Sequence, residues 1–218
     1  MMLCNSGVLR VLVACEYSGR VREAFRKLGH DAWSCDLLPA EDNSPHHYQC
    51  DIRDLLVQGW WDLMIAHPDC TFLCSSGLHW NTRGVMVDGR PRQELTEEAL
   101  DFVRLLMAAP IPRIAIENPV GCISSRIRKP DQIIQPYEYG DNASKKTCLW
   151  LKWLPPLKPT KRVHGRMVMH NGRQVERWEN QTDSGQNKLP PSADRWKNRA
   201  RTRSEEHTSE LQSPMFIS

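Results

Sequence analysis

An open, largely parallel α/β sheet with flanking helices is the fold class this 218-residue chain predicts. Three observations lead there. Short β-branched apolar runs alternate with amphipathic helical stretches along residues 8–155. Glycine, proline or short polar clusters punctuate the joins. No run approaches the roughly 20 apolar residues needed to span a bilayer, and MMLCNSGVLRVLVAC lacks the basic-then-apolar pattern of a secretion signal.

In order, VLRVLVA (Val8 to Ala14) predicts a buried strand. The turn CEYSG leads into RVREAFRKLGH, a helix with Val21, Ala24, Phe25 and Leu28 on one face and Gly29 as its stop. HDAWSCD (His30 to Asp36) predicts a second strand, and a third short extended piece precedes Asp51. IRDLLVQG follows as a helix and WDLMIAHP as the fourth strand. PRQELTEEALDFVRLLMAAP is the strongest helical stretch, with Leu95, Phe102, Val103, Leu106 and Met107 at helical spacing and acids in its early turns. PRIAIENP is the fifth strand and TCLWLKWLP the sixth.

The eight cysteines lie scattered, which suits reduced thiols in a cytoplasm better than a disulfide framework, and no CxxC pair suggests zinc. Charge is polarised. Met1 to Leu157 carries 17 basic and 19 acidic residues, whereas Lys158 to Thr202 carries 11 basic and 4 acidic, together with Trp178 and Trp196. Basic residues interleaved with aromatics suit phosphates and stacked bases, and equally a solvated tail. The expected division is therefore a catalytic domain over 1–157, a small basic segment over 158–202, and a tail over 203–218. That tail, RSEEHTSELQSPMFIS, resembles a sequencing adapter translated in frame. It is excluded from fold reasoning, and a native C-terminus is expected to be missing.

In open parallel sheets, ligands sit beyond the carboxyl ends of the strands. Here every strand ends in polar or special residues: Glu16, Ser18 and Gly19 after the first, Asp36 after the second, Asp51 after the third. The fourth ends in His67, Pro68 and Cys70, the fifth in Glu117, Asn118 and Pro119. Asp36 lies 17 residues beyond Gly19, near the offset of about 20 at which an acid meets ribose hydroxyls; a turn or cap residue is an equal alternative. Asp51 suits an adenine amino group or the cap of IRDLL. Cys70 with Glu117 supplies a thiol and a carboxylic acid. That pair suits addition of sulfur to carbon 6 of a pyrimidine, with the acid serving ring nitrogen 3.

These residues carry a resemblance. IAHPDCTFLCSSG and IAIENP resemble the Pro-Cys and Glu-Asn motifs of DNA cytosine carbon-5 methyltransferases. VLVACEYSGRVREAF, HDAWSCDLLPAED, IENPVG, KPDQIIQPYEYG and KKTCLWLKWLPPLKPT are similar to a small phage and prophage group of such enzymes. The resemblance covers most of Val8 to Thr202. It implies a Rossmann-like methyltransferase sheet, S-adenosylmethionine as cofactor, DNA as partner and a base flipped from the stack. A restriction-modification context and a monomer are also expected, and the residues themselves already argue for a cytoplasm and against a membrane span or a metal. By position, it makes Cys70 the nucleophile, Glu117 the base-binding acid and Asn118 the residue that shapes their loop. Cys15, Glu16, Ser18 and Gly19 would lie by the methionine part of the cofactor, with His67 and Pro68 at the same pocket, Asp36 on the ribose and Asp51 on the adenine. Lys145, Lys146, Arg162 and Arg166 would contact nucleic acid. Two departures stand out: Asp69 precedes the cysteine where the family has proline, and Cys15 stands where many relatives have glycine. A pyrimidine-modifying enzyme acting on RNA or a free nucleotide, and a nucleic-acid-binding relative without turnover, are the other readings.

Overall fold

The structure, a computed structural model, describes residues 7–190. Cys4, Trp196 and the adapter-like tail lie outside the described residues. By internal contacts the chain forms two compact units. Within the described residues the first comprises 7–133 and 147–156, the second 134–146 and 157–190. The segment 134–146 thus joins the basic residues that follow 157.

The first unit is built on strands β1 (Arg10–Ala14), β2 (Asp31–Asp36), β3 (His47–Gln49), β4 (Leu63–Ala66), β7 (Arg113–Pro119), β8 (Gln132–Ile134) and β9 (Thr147–Lys152). Its helices are α1 (Arg20–Lys27), α2 (Arg53–Leu56), α3 (Ser75–Leu78), α4 (Arg92–Ala108) and α5 (Ile123–Arg126), and a short ribbon of β5 (Met86–Val87) and β6 (Arg90–Pro91) precedes α4. The main sheet runs β3-β2-β1-β4-β7-β9-β8. β1, β2, β3, β4 and β7 pair in parallel, while β9 pairs antiparallel with β7. This is the Rossmann-like α/β sheet, doubly wound, with its change of direction between β1 and β4.

Local sequence explains the frame. Val11, Leu12, Val13 and all of Leu63–Ala66 are fully buried, as continuous apolar runs in parallel sheets are. Gly19 opens α1 at φ 73, in the left-handed region that glycine enters cheaply. The helix buries Val21, Ala24 and Phe25, but also Arg22. That guanidinium donates to Ser34 Oγ at 2.8 Å and forms ion pairs with Glu23 and Asp42. Leu28, expected on the buried face, is 48% exposed beyond the helix end. α4 buries Arg92, Thr96, Leu100, Val103 and Leu106, so its stripe is rotated from the one its apolar residues predict; Phe102 and Ala99 face a cavity instead. The strand expected as sixth is β9, the seventh strand of the main sheet in chain order, because β8 precedes it there. Among the described residues, no helix is long and apolar enough to cross a membrane.

The second unit holds a 3₁₀ turn (Pro136–Glu138) and a hairpin of β10 (Arg166–His170) and β11 (Arg173–Arg177). Tyr137 and Trp178 stack with centroids 3.9 Å apart and planes 9° from parallel. The Trp178 indole donates to Val163 O at 3.0 Å.

Candidate functional site

A cavity of about 350 Å³ opens at the carboxyl ends of the first four strands. Cys15 after β1, Cys35 and Asp36 at the end of β2, Cys50 and Asp51 after β3, and Asp69 and Phe72 after β4 all line it. Ile52, Arg53, Ala99 and Phe102 add an apolar wall with one cation. Cys15 holds φ 59, a left-handed conformation costing a non-glycine residue about 1 kcal/mol. Burial, and then the negative charges of Asp36, Asp51 and Asp69, push its thiol up to about 12. Burial also raises the Asp36 carboxyl, although Asp36 Oδ1 accepts the Leu38 N–H at 2.9 Å. Asp51 Oδ1 accepts the Arg53 N–H at 2.9 Å, and its Oδ2 pairs with the Arg53 guanidinium at 2.7 Å. It thus holds the start of α2 while it lines the cavity.

Glu16, Ser18 and Gly19 form the turn into α1. The buried Glu16 carboxylate accepts N–H groups of Val21 (2.7 Å) and Arg22 (3.2 Å), and the Ser18 hydroxyl at 3.4 Å. Burial raises its pKa, opposed by His67 and these backbone donors.

β4 and β7 are neighbours, with Ala66 opposite Ile116. His67 and Glu117 are therefore the next residues on each and lie side by side, His67 just past the end of β4 and Glu117 still paired with Leu149 of β9. His67 Nδ1 lies 3.3 Å from Glu117 Oε2. Burial depresses the imidazole's pKa, but the Glu117 hydrogen bond and charge, with Glu16 beyond, outweigh it and the net shift is upward. The Asn118 amide donates to Pro68 O at 2.7 Å. Cys70 is half-buried, and its carbonyl accepts the N–H groups of Leu73 and Cys74, both at 3.0 Å. Asp69 Oδ1 accepts both the Thr71 N–H (3.0 Å) and the Thr71 hydroxyl (2.8 Å), which locks the start of the cysteine loop locally.

Further bonds tie the two loops together. Cys74 bridges Gly121, Cys122 N–H donates to Leu73 O at 2.9 Å, and Ser75 N–H donates to Val120 O at 3.0 Å. A Cβ on Gly121 would lie 2.8 Å from the Leu73 carbonyl carbon and 2.9 Å from Cys74 Cα, with the Leu73 oxygen closer still. Only glycine fits. Arg92 clamps the cysteine loop from α4: Nη2 donates to Thr71 O at 2.7 Å and Nε to Gly77 O at 3.3 Å, and the guanidinium lies 4.7 Å from the Phe72 ring centroid. The Thr96 hydroxyl contacts Phe72 O at 3.2 Å. Sequence reasoning does not anticipate Arg92, Thr96, Phe72 or Phe102. Phe102 sits in a regular apolar stripe, and the arginine carries no local signal of burial.

In the second unit the four basic residues expected to meet nucleic acid differ in their surroundings. Lys146 is exposed, and the Lys145 N–H donates to Gln135 Oε1 at 2.8 Å. Arg162 pairs with Glu176 at 3.0 Å and lies 4.9 Å from the Tyr137 centroid. Arg166 donates to Trp178 O, Gln181 O and Asp183 Oδ1 at 3.0, 2.8 and 2.7 Å. Among the described residues no cluster of three or more His, Cys, Asp or Glu side chains could hold a metal ion.

No protein-family model and no curated protein matches the chain. Its structure is similar to a crystal structure from E. coli described as a candidate DNA modification methyltransferase encoded within a prophage, with 16% identity and a TM-score of 0.41. The match covers 66% of this chain and 46% of that one, so the chain spans about half the length of that neighbour.

Proposed function

We propose that this chain transfers a methyl group from S-adenosylmethionine to carbon 5 of cytosine in DNA, with Cys70 as covalent nucleophile. The observation that carries the reading is the convergence of two neighbouring strand ends. His67 to Cys70 after β4 and Glu117–Asn118 on β7 are joined by the His67–Glu117 and Pro68–Asn118 hydrogen bonds. Counted along the chain, the main sheet runs 3-2-1-4-5-7-6 with its seventh strand antiparallel, the order of the Rossmann-like methyltransferase sheet that the motifs resemble.

The residues present fit the cofactor. A nucleoside needs a cavity of a few hundred Å³ with apolar walls and a few placed polar groups. The cavity supplies about 350 Å³, three carboxylates and two phenylalanines. Asp36 would hold the ribose hydroxyls, Asp51 the adenine amino group, and Phe72 and Phe102 the ring faces, with Cys15 closing the floor. When bound, the cofactor supplies an electrophilic methyl group.

The chain's own groups do the rest. The Cys70 sulfur, as thiolate, adds to carbon 6 of the flipped cytosine while Glu117 gives or shares a proton at nitrogen 3, which makes carbon 5 nucleophilic. Once carbon 5 carries the methyl group, solvent water takes its proton, the freed pair re-forms the double bond between carbons 5 and 6 as the carbon 6–sulfur bond breaks and the thiolate leaves, and the proton at nitrogen 3 returns to Glu117. Asn118 fixes the Pro68 carbonyl and with it the approach of the cysteine loop. Buried His67 Nε2 and Asn118 Oδ1 have no hydrogen-bond partner among the described residues. Buried polar atoms are nearly always hydrogen-bonded, so these two are candidates to meet polar groups of a bound ligand. Duplex DNA containing 5-fluorocytosine tests the proposal. The wild type should form a covalent adduct in the presence of cofactor, and Cys70→Ser should form none. Methyl transfer at an unchanged rate by Cys70→Ser would overturn it, and modification of RNA or free nucleotide in preference to DNA would move the activity to another substrate.

A further inference from the structure

A carboxylic acid in water loses its proton near about pH 4.3, yet the methylation reading asks Glu117 to deliver one at neutral pH. Beside Glu117 stands an imidazole, and the backbone under both is anchored. The His67 N–H donates to Ala14 O at 3.0 Å, while Glu117 pairs with Leu149 of β9. From these fixed positions His67 Nδ1 meets Glu117 Oε2 at 3.3 Å. Among the described residues this is the ring's one hydrogen bond. Its side chain is 21% exposed, but Nε2 is buried and has no partner there.

The charged groups that act on the ring are Glu117, from β7, and Glu16, from the turn after β1, and both are buried. Glu16 is held in turn by the Val21 and Arg22 N–H groups at 2.7 and 3.2 Å. Two buried carboxylates are costly to ionise without a cation between them. Burial alone would strip the ring of its proton, but the hydrogen bond and charge of Glu117, then the charge of Glu16, more than restore it.

We propose that His67 is a positioning residue that holds the proton Glu117 delivers to the pyrimidine; the proposal rests on the methylation reading and adds a residue to its proton path. In the resting pair the imidazolium donates its Nδ1–H to the Glu117 carboxylate. As Cys70 sulfur bonds to carbon 6, the carbon 5–carbon 6 pair moves between carbons 5 and 4, and the carbon 4–nitrogen 3 pair moves onto nitrogen 3. Nitrogen 3 takes a proton from the Glu117 carboxyl, which receives the Nδ1 proton of His67 and leaves a neutral ring protonated at Nε2. When nitrogen 3 returns its proton to Glu117, His67 Nδ1 takes its own back, so none is consumed. A neutral donor at the same place would orient Glu117 equally well but would have no proton to pass on.

The test is single-turnover methylation of duplex DNA by the full chain, followed from acid to alkaline pH. The last proton of a coupled pair leaves at higher pH than it would leave either member alone. His67→Asn keeps a donor near the Nδ1 position but takes up no proton. Its alkaline limb should lie about one unit or more lower, with a rate there about tenfold lower, while the acid limb, where the Cys70 thiolate forms, stays in place. An unmoved alkaline limb in the folded variant overturns the proposal, and adduct formation with 5-fluorocytosine DNA then still supports the methylation reading. Nitrogen-15 spectra of histidine-labelled protein read the ring without DNA. His67 should titrate above the ordinary 6.5 in wild type and at lower pH in Glu117→Gln. Titration at or below 6.5 in wild type, or unmoved in Glu117→Gln, overturns the proposal. A wild type that forms no adduct overturns both.

Discussion

Gly121→Ala should be the most damaging small substitution in the first unit. The new methyl carbon would sit 2.8 Å from the Leu73 carbonyl carbon and 2.9 Å from Cys74 Cα, against the about 3.5–4.0 Å at which carbons rest. The obstacle is backbone, so no side chain can swing aside. The loops must part by roughly 1 Å, which stretches the Cys122–Leu73 and Ser75–Val120 hydrogen bonds. Two such bonds at about 1 kcal/mol each, with about 2 kcal/mol for overpacking, give a loss near 4 kcal/mol. At about 2–4 °C per kcal/mol for a chain of this size, the melting temperature should fall by roughly 10 °C. The same shift displaces Cys70 relative to Asn118, and a misplacement of about 1 Å costs on the order of 10²-fold in rate. Gly84→Ala is the control: nothing lies within 4 Å of its added Cβ, and only its φ of +65° is unfavourable. It should cost about 1 kcal/mol. Thermal melts and adduct formation with 5-fluorocytosine DNA measure both effects. A Gly121→Ala protein that melts within about 2 °C of wild type and forms adduct at full rate would refute the steric argument.

Asp36→Ala should weaken S-adenosylmethionine binding about tenfold to a hundredfold, the worth of hydrogen bonds to a charged group; calorimetry showing less than a threefold change removes Asp36 from the site. Arg92→Lys keeps the charge but loses the fork that holds both Thr71 O and Gly77 O. It should lower the rate of adduct formation more than it lowers cofactor affinity, and equal losses would make Arg92 a general structural residue. The His67 pKa is raised by Glu117 and Glu16 against the pull of burial. Its pairing therefore contributes fully below the ordinary value of 6.5 and fades as pH rises through the raised folded value. The stability gap between wild type and His67→Asn should accordingly shrink as pH rises above the ordinary value of 6.5 and through the raised folded value, and a gap independent of pH would contradict the assignment.

The frame of this fold is legible because buried parallel strands announce themselves locally. VLVA, LMIA and IAI are continuous apolar runs, and the polar residue after each lies at the carboxyl end where such sheets place ligands. Distance defeats the same reasoning elsewhere. Arg92 is buried by carbonyls 15 and 21 residues away, and Phe102 meets the cavity because α4 is rotated about its axis, which periodicity alone does not fix. Arg22 looks like a surface residue of an amphipathic helix until Ser34 and Asp42 close over it. The hairpin had a usable signal: Asn-Gly between RMVMH and RQVER is the turn that joins two alternating strands. The density of charge in that stretch masks the alternation.

The carboxylate of Glu16 has a consequence for what the first unit can recognise. In nucleotide-binding sheets the amides at the start of the first helix receive a pyrophosphate. Here two of those amides already hold the protein's own oxygens. A dinucleotide would bring its bridging anion against a seat taken by another acid, whereas a nucleoside joined to a sulfonium amino acid brings no such group. Under the proposed reading, that occupied turn would set S-adenosylmethionine apart from phosphorylated adenosine compounds before any contact to the purine.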